Sequence, residues 1–253
     1  MKEILWVDSH CHPQYENLGL ESIEEALENG ISKICCVAAG ESFAEHDFLM
    51  KCKEKYNTAI VIGEHPTNDF AKTDWNFLES VILNYNAIGE TGFDFQSEIE
   101  PQIEAFERQA NLALKYDLPV VLHIRDAGDG KIEELTMQEL KKFPNLRGVF
   151  HCFVGGKKLA QFAIDRNFFI SFSGIITFKK AEAIRDLMKT LPVENFLIET
   201  DAPYLAPVPK RGKINRPSYV KYVGEFISQF LNIKEEVFSE IVNKNFDKLY
   251  WKS

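Results

Sequence analysis

The sequence predicts a (β/α)₈ TIM barrel built as one domain over residues 1–253, and three observations carry that prediction. Eight short β-rich runs recur along the chain. Amphipathic segments of helical length separate them. Polar, chemistry-bearing side chains stand at the ends of nearly all of those runs, as they do on the C-terminal rim of a barrel enzyme. A doubly wound open sheet is the alternative that the first two observations leave open, and the third decides against it.

In chain order the β-rich runs are EILWVD, SKICCVAA, NTAIVIGEH, NAIGETGF, LPVVLHIR, LRGVFHCF, FFISFSG and NFLIETD. They are nearly continuous in apolar residues, the pattern of strands buried on both faces in a parallel sheet. Helical segments between them include ESIEEALENG, AEHDFLMKCKEKY, DWNFLESVILNY and PQIEAFERQANLALKYD. In the last of these, Ile103, Phe106, Ala110 and either Ala113 or Leu114 follow the spacing of one buried stripe. PSYVKYVGEFISQFL and KEEVFSEIVNKNFDKLYW read as the helices that close the ring.

Composition bounds the function. Hydrophobic residues at 45% and charged residues at 26% suit a soluble globular enzyme. Five cysteines, two of them adjacent, form no disulfide framework, and together with an N-terminus unlike a signal peptide they point to a reducing, cytoplasmic setting. No stretch is long and apolar enough for a membrane span, and nothing implies an obligate protein partner. A net charge of −9 is the wrong sign for a protein that coats nucleic acid, yet it permits an enzyme that grips a few phosphates locally. One local basic run exists, PKRGKINR, with Lys210, Arg211, Lys213 and Arg216.

Five of the six histidines fall at strand ends: His10 and His12 after the first, His65 after the third, His123 at the fifth and His151 at the sixth. Glu90 at the fourth and Asp201 at the eighth join them. The remaining histidine, His46, lies in a helical segment and reads as a surface residue. Residues i and i+2 of a strand share a side, so His10 and His12 face one ion while Cys11 faces away. Neutral imidazoles with carboxylates suit Zn²⁺, Mn²⁺, Co²⁺ or Fe²⁺, whereas a pure Mg²⁺ site wants more oxygen. His10, His12, Glu90, His123, His151 and Asp201 are more donors than one tetrahedral ion uses. Two ions bridged by a carboxylate and a hydroxide is the economical arrangement.

Taken together, VDSHCH, GEHP, IGETGFD, VLHIRDA, FHCF, SFSGIITFK and IETDAPYLAP followed by RGKINRP resemble the TatD family of metal-dependent deoxyribonucleases, within the amidohydrolase superfamily. The resemblance spans residues 7–217, and NKNFDKLY is similar to the family's ending. It implies a two-metal site hydrolysing DNA phosphodiesters, with single-stranded DNA cut from its 3′ end and Zn²⁺, Mn²⁺ or Mg²⁺ as the ions. It implies that His10, His12 and Asp201 hold one ion and His123 and His151 the other, with Glu90 bridging. His65 then contacts phosphate, Arg125 and the basic run steady the flanking backbone, and Asp201 serves as general base. The sequence departs from the usual family pattern at Thr67, Thr91, Phe93 and Arg216, all on the substrate side; Arg216 adds a cation where relatives offer an anion. A second reading keeps the metals but hydrolyses an amide or ester, including an aminoacyl-tRNA deacylase.

Overall fold

A computed structural model describes residues 4–16, 18–40 and 42–251. Eight parallel strands pair in chain order: β1 (Trp6–Cys11), β2 (Ile31–Val37), β3 (Ala59–Ile62), β4 (Ala87–Asp94), β5 (Val120–Arg125), β6 (Gly148–Phe150), β7 (Phe169–Phe172) and β8 (Phe196–Ile198). Around them run α1 (Glu21–Glu28), α2 (Ser42–Tyr56), α3 (Trp75–Val81), α4 (Ile99–Lys115), α5 (Lys131–Lys141), α6 (Lys157–Asp165), α7 (Glu182–Met188), α8 (Val220–Leu231) and α9 (Glu235–Tyr250). This is the predicted (β/α)₈ barrel. Strand residues such as Val7, Ile60, Val121 and Leu197 are fully buried, which is why the strands read as unbroken apolar runs. On α4 the buried stripe runs through Phe106, Ala110 and Ala113, and Leu114 is 39% exposed. Among the described residues no helix is long and apolar enough to cross a membrane.

Two irregularities position the site. Between Asp8 and Cys11, β1 carries one more residue than β2 opposite it. Between Ile88 and Thr91, β4 does the same against β5. Such bulges re-aim side chains, and these two lie beside His10 and Glu90.

Closure of the ring happens beyond the end of β8. The Asp201 N–H donates to the His10 carbonyl at 2.9 Å, and the His12 N–H donates to the Ala202 carbonyl at 2.7 Å. The Thr200 N–H and hydroxyl both donate to the buried Asp8 carboxyl, at 2.8 and 2.6 Å. Asp201 itself sits in the left-handed region, with φ of 56°, which an aspartate tolerates better than most residues.

Candidate metal centre

The six sequence-predicted ligands converge at the C-terminal rim. His10 Nε2 and His12 Nε2 lie 3.1 Å apart, and Glu90 Oε1 stands 3.4 and 3.3 Å from them. Asp201 Oδ1 is 3.4 Å from His12 Nε2 and 3.8 Å from His10 Nε2. The other Glu90 oxygen, Oε2, faces a second pair: His151 Nε2 at 2.8 Å and His123 Nδ1 at 3.2 Å, themselves 3.2 Å apart. One carboxylate thus divides its two oxygens between two imidazole pairs. Cys11 takes no part; it is fully buried, its thiol donates to the Cys35 carbonyl at 3.4 Å, and burial pushes its pKa up to about 12.

The outer partners fix which ring nitrogen is free. His12 Nδ1 is 2.7 Å from the Val37 carbonyl, His123 Nε2 is 3.1 Å from Asp94, and His151 Nδ1 is 3.3 Å from Glu199. A carbonyl or carboxylate holds the N–H on that side and leaves the inward nitrogen with its lone pair. The inward nitrogens of His123 and His151, both rings backed in this way, stand 3.2 Å apart, and lone pairs that close repel unless positive charge lies between them, so the donor set fits divalent cations. Among the described residues three overlapping groups could hold an ion: His10, His151 and Asp201; His10, His12 and Glu90; and His65, Glu90 and His123.

Electrostatics agree that the cluster draws positive charge. Burial disfavours a charged His12, but the hydrogen bond to Asp201 and the charges of Glu90 and Asp201 raise its pKa to about 9. Burial alone would raise the Glu90 carboxyl. The charges of His151 and His10, with hydrogen bonds from His10 and His123, hold it well below the usual range. Asp201 is likewise pushed up by burial but held below the usual range by the His12 hydrogen bond and the neighbouring imidazoles.

The cluster forms the floor of a cleft of about 670 Å³, with His65, Arg125, Tyr15 and Tyr204 on its walls. Burial lowers the His65 pKa to about 4, and its Nδ1 accepts from the Thr67 N–H at 3.2 Å, so the neutral ring presents Nε2–H, 3.9 Å from Glu90. Arg125 donates to Gln96 at 3.0 Å on the same wall.

Elsewhere the placement differs from the sequence reading. None of Lys210, Arg211, Lys213 and Arg216 lines the cleft. Lys210 lies 5.2 Å over Tyr219, Arg211 lies 3.8 Å over Phe178, and Arg216 is bound by Glu25 of α1. Arg216 therefore brings no unpaired cation to the substrate side. His46 is no free surface residue either: it is half-buried, 2.7 Å from the Tyr85 hydroxyl and edge-on to Phe77.

The sequence reading missed Asp94, Glu199 and Asp8. Asp94 stands four residues after Glu90 and Glu199 two before Asp201. Period-two alternation away from a proposed ligand was the signal that could have found them.

Residues 7–251 match the family model described as TatD related DNase. The chain belongs to the TatD family. It is 32% identical to the metal-dependent hydrolase YcfH of Escherichia coli, over 96% of this chain and 95% of that one. It is 33% identical to the metal-dependent hydrolase YabD of Bacillus subtilis, over 96% and 98%. Among solved structures, the TatD homologue YJJV of Escherichia coli superposes with a TM-score of 0.87 at 25% identity, covering 98% of both chains. This TatD-family protein is a metal-dependent hydrolase.

Proposed function

We propose that this TatD-family protein is a deoxyribonuclease that uses two divalent ions, Zn²⁺, Mn²⁺ or Mg²⁺, to hydrolyse single-stranded DNA from its 3′ end. The observation that carries the two-ion reading is the division of the Glu90 oxygens, Oε1 toward His10 and His12, Oε2 toward His123 and His151. His10, His12 and Asp201 would hold one ion and His123 and His151 the other, with Glu90 between them. Ions held there acidify water toward neutral pH and neutralise charge on a phosphoryl group.

The protein's own groups do the rest. Asp201, 14% exposed to the cleft and held ionised by the imidazoles, accepts the proton of the attacking water. His65 offers its Nε2–H, and Arg125 its guanidinium, to phosphate oxygens. Lys210, Arg211 and Lys213 act farther out, on the strand that leaves the cleft, as a general attraction for phosphate. The description of the matching family supports DNA as the substrate.

The seating of the loop cations off the cleft wall favours a second reading, in which the same centre hydrolyses an amide or ester, as an aminoacyl-tRNA deacylase does. One assay separates the two: 5′-labelled single-stranded DNA, neutral esters and aminoacylated tRNA are incubated with each divalent ion. The nuclease reading expects a ladder that shortens one nucleotide at a time. Mid-length fragments would remove the exonuclease assignment, and turnover of esters alone would overturn the nuclease reading.

A further inference from the structure

Beside the candidate metal centre lies one more buried carboxylate, outside the ligand set. Glu45, in the first turn of α2, is buried, and four donors surround it. Oε1 accepts from the Tyr15 hydroxyl and from the Gly40 N–H at 3.1 Å. Oε2 accepts from Gln14 Nε2 at 2.8 Å and from the Ala39 N–H at 3.2 Å. Two donors come from the loop after β1 and two from the loop after β2, and Tyr15 and Ala39 both line the cleft. Gly40 leaves the space for this arrangement: a Cβ there would stand 2.4 Å from Glu45 Oε1 and 3.0 Å from the Tyr15 hydroxyl.

Two routes lead from this one carboxylate to one imidazole. Gln14 Nε2 donates both to Glu45 and to the Val37 carbonyl, the latter at 2.7 Å. That carbonyl is the group that holds the His12 N–H, also at 2.7 Å. By the second route, Glu45 fixes the Tyr15 hydroxyl, and the Tyr15 ring stacks on His12 with centroids 5.6 Å apart. We infer that Glu45 is a positioning residue for His12: through Gln14 and Val37 it sets the ring's tautomer, and through Tyr15 it sets the ring's plane. The inference rests on the metal-holding part of the proposed function and holds whichever bond is cleaved.

A carboxylate that merely capped α2 would steady the loops and leave the ions alone. One that positions His12 acts on one ion and not the other, because neither route touches His123 or His151. Glu45→Gln keeps the volume but sets an amide against four donors. Metal-free protein is titrated with Zn²⁺ against a chromophoric chelator, and the histidine ring nitrogens are followed by NMR. Loss of an outer partner typically weakens metal affinity about 10–100-fold, and that loss is expected in one uptake step, with the other within about threefold of wild type. The His12 nitrogens should shift, and activity should recover as Zn²⁺ is raised. Gln14→Leu, which cuts the first route only, should weaken the same step by less and serves if Glu45→Gln does not fold. Uptake unchanged in both steps, or weakened equally in both, would overturn the inference. If wild-type protein takes up no ion, the metal reading fails and this inference falls with it.

Discussion

The two halves of the metal centre use the same ligand type on different foundations. On the seam between β1 and β8, His12 is backed by a main-chain carbonyl, and His10 Nδ1 has no hydrogen-bond partner. The backbones of His10, His12 and Asp201 are tied by the bonds that close the barrel. On the β4–β6 side, His123 and His151 are each backed by a carboxylate, Asp94 and Glu199. The His123 side chain is 18% exposed, against 1% for His10. A carboxylate behind an imidazole raises its basicity more than a carbonyl does. Geometry therefore fixes the seam half, and charge tunes the other.

The largest effect should come from the residue that both halves share. Glu90→Gln should weaken uptake of both ions and lower kcat/KM by about a thousandfold or more, since each ion supplies several kcal/mol of charge stabilisation. Steady-state kinetics with chelator titration check this; a variant that loses only one ion would show that Glu90 is no bridge.

Asp94→Asn tests the independence of the charge-tuned half. It should weaken one ion about 10–100-fold and spare the ion on the seam. Equal weakening of both would abolish the distinction between the halves.

Acidity probes the seam. The His12 pKa rises from 6.5 to about 9 in the folded protein. A group raised in this way stabilises the fold fully below the lower value and loses that contribution as pH climbs through the upper one. In metal-free protein the stability difference between wild type and His12→Gln should shrink between pH 6.5 and about 9, as read by thermal melting. Ion uptake expels the same proton, so it should tighten over that interval. A difference that stays flat would remove His12 as the seam's titrating group.

Cys11→Ser should do least. Its hydroxyl can take over the bond to the Cys35 carbonyl, so a cost of about 1–2 kcal/mol in denaturant unfolding is expected, with both ions retained. Loss of an ion would make the cysteine more than a packed neighbour.

The comparison also explains what could be read from the sequence. Strands buried on both faces leave unbroken apolar runs, so all eight strands were legible, even β8 with its three residues. The residues that converge on the rim were legible because each ends or follows a run. What pairs with them was not. Asp94 backs a histidine 29 residues away and Glu199 one 48 away, and spacing from Glu90 or Asp201 can flag each acid but cannot say which histidine it meets. Nor does a sequence tell whether a cation is engaged: Arg216 looks free until α1 brings Glu25 to it. Main-chain partners such as the Val37 carbonyl leave no residue-specific mark at all.

The closure of the ring at His10, His12, Asp201 and Ala202 bears on how the protein is made. His10 and His12 leave the ribosome well before Asp201, the carboxylate that joins them at the seam. A nascent or truncated chain that stops short of Asp201 can hold histidines but cannot finish the centre. Closing the barrel and bringing the last carboxylate to the two histidines are thus the same event.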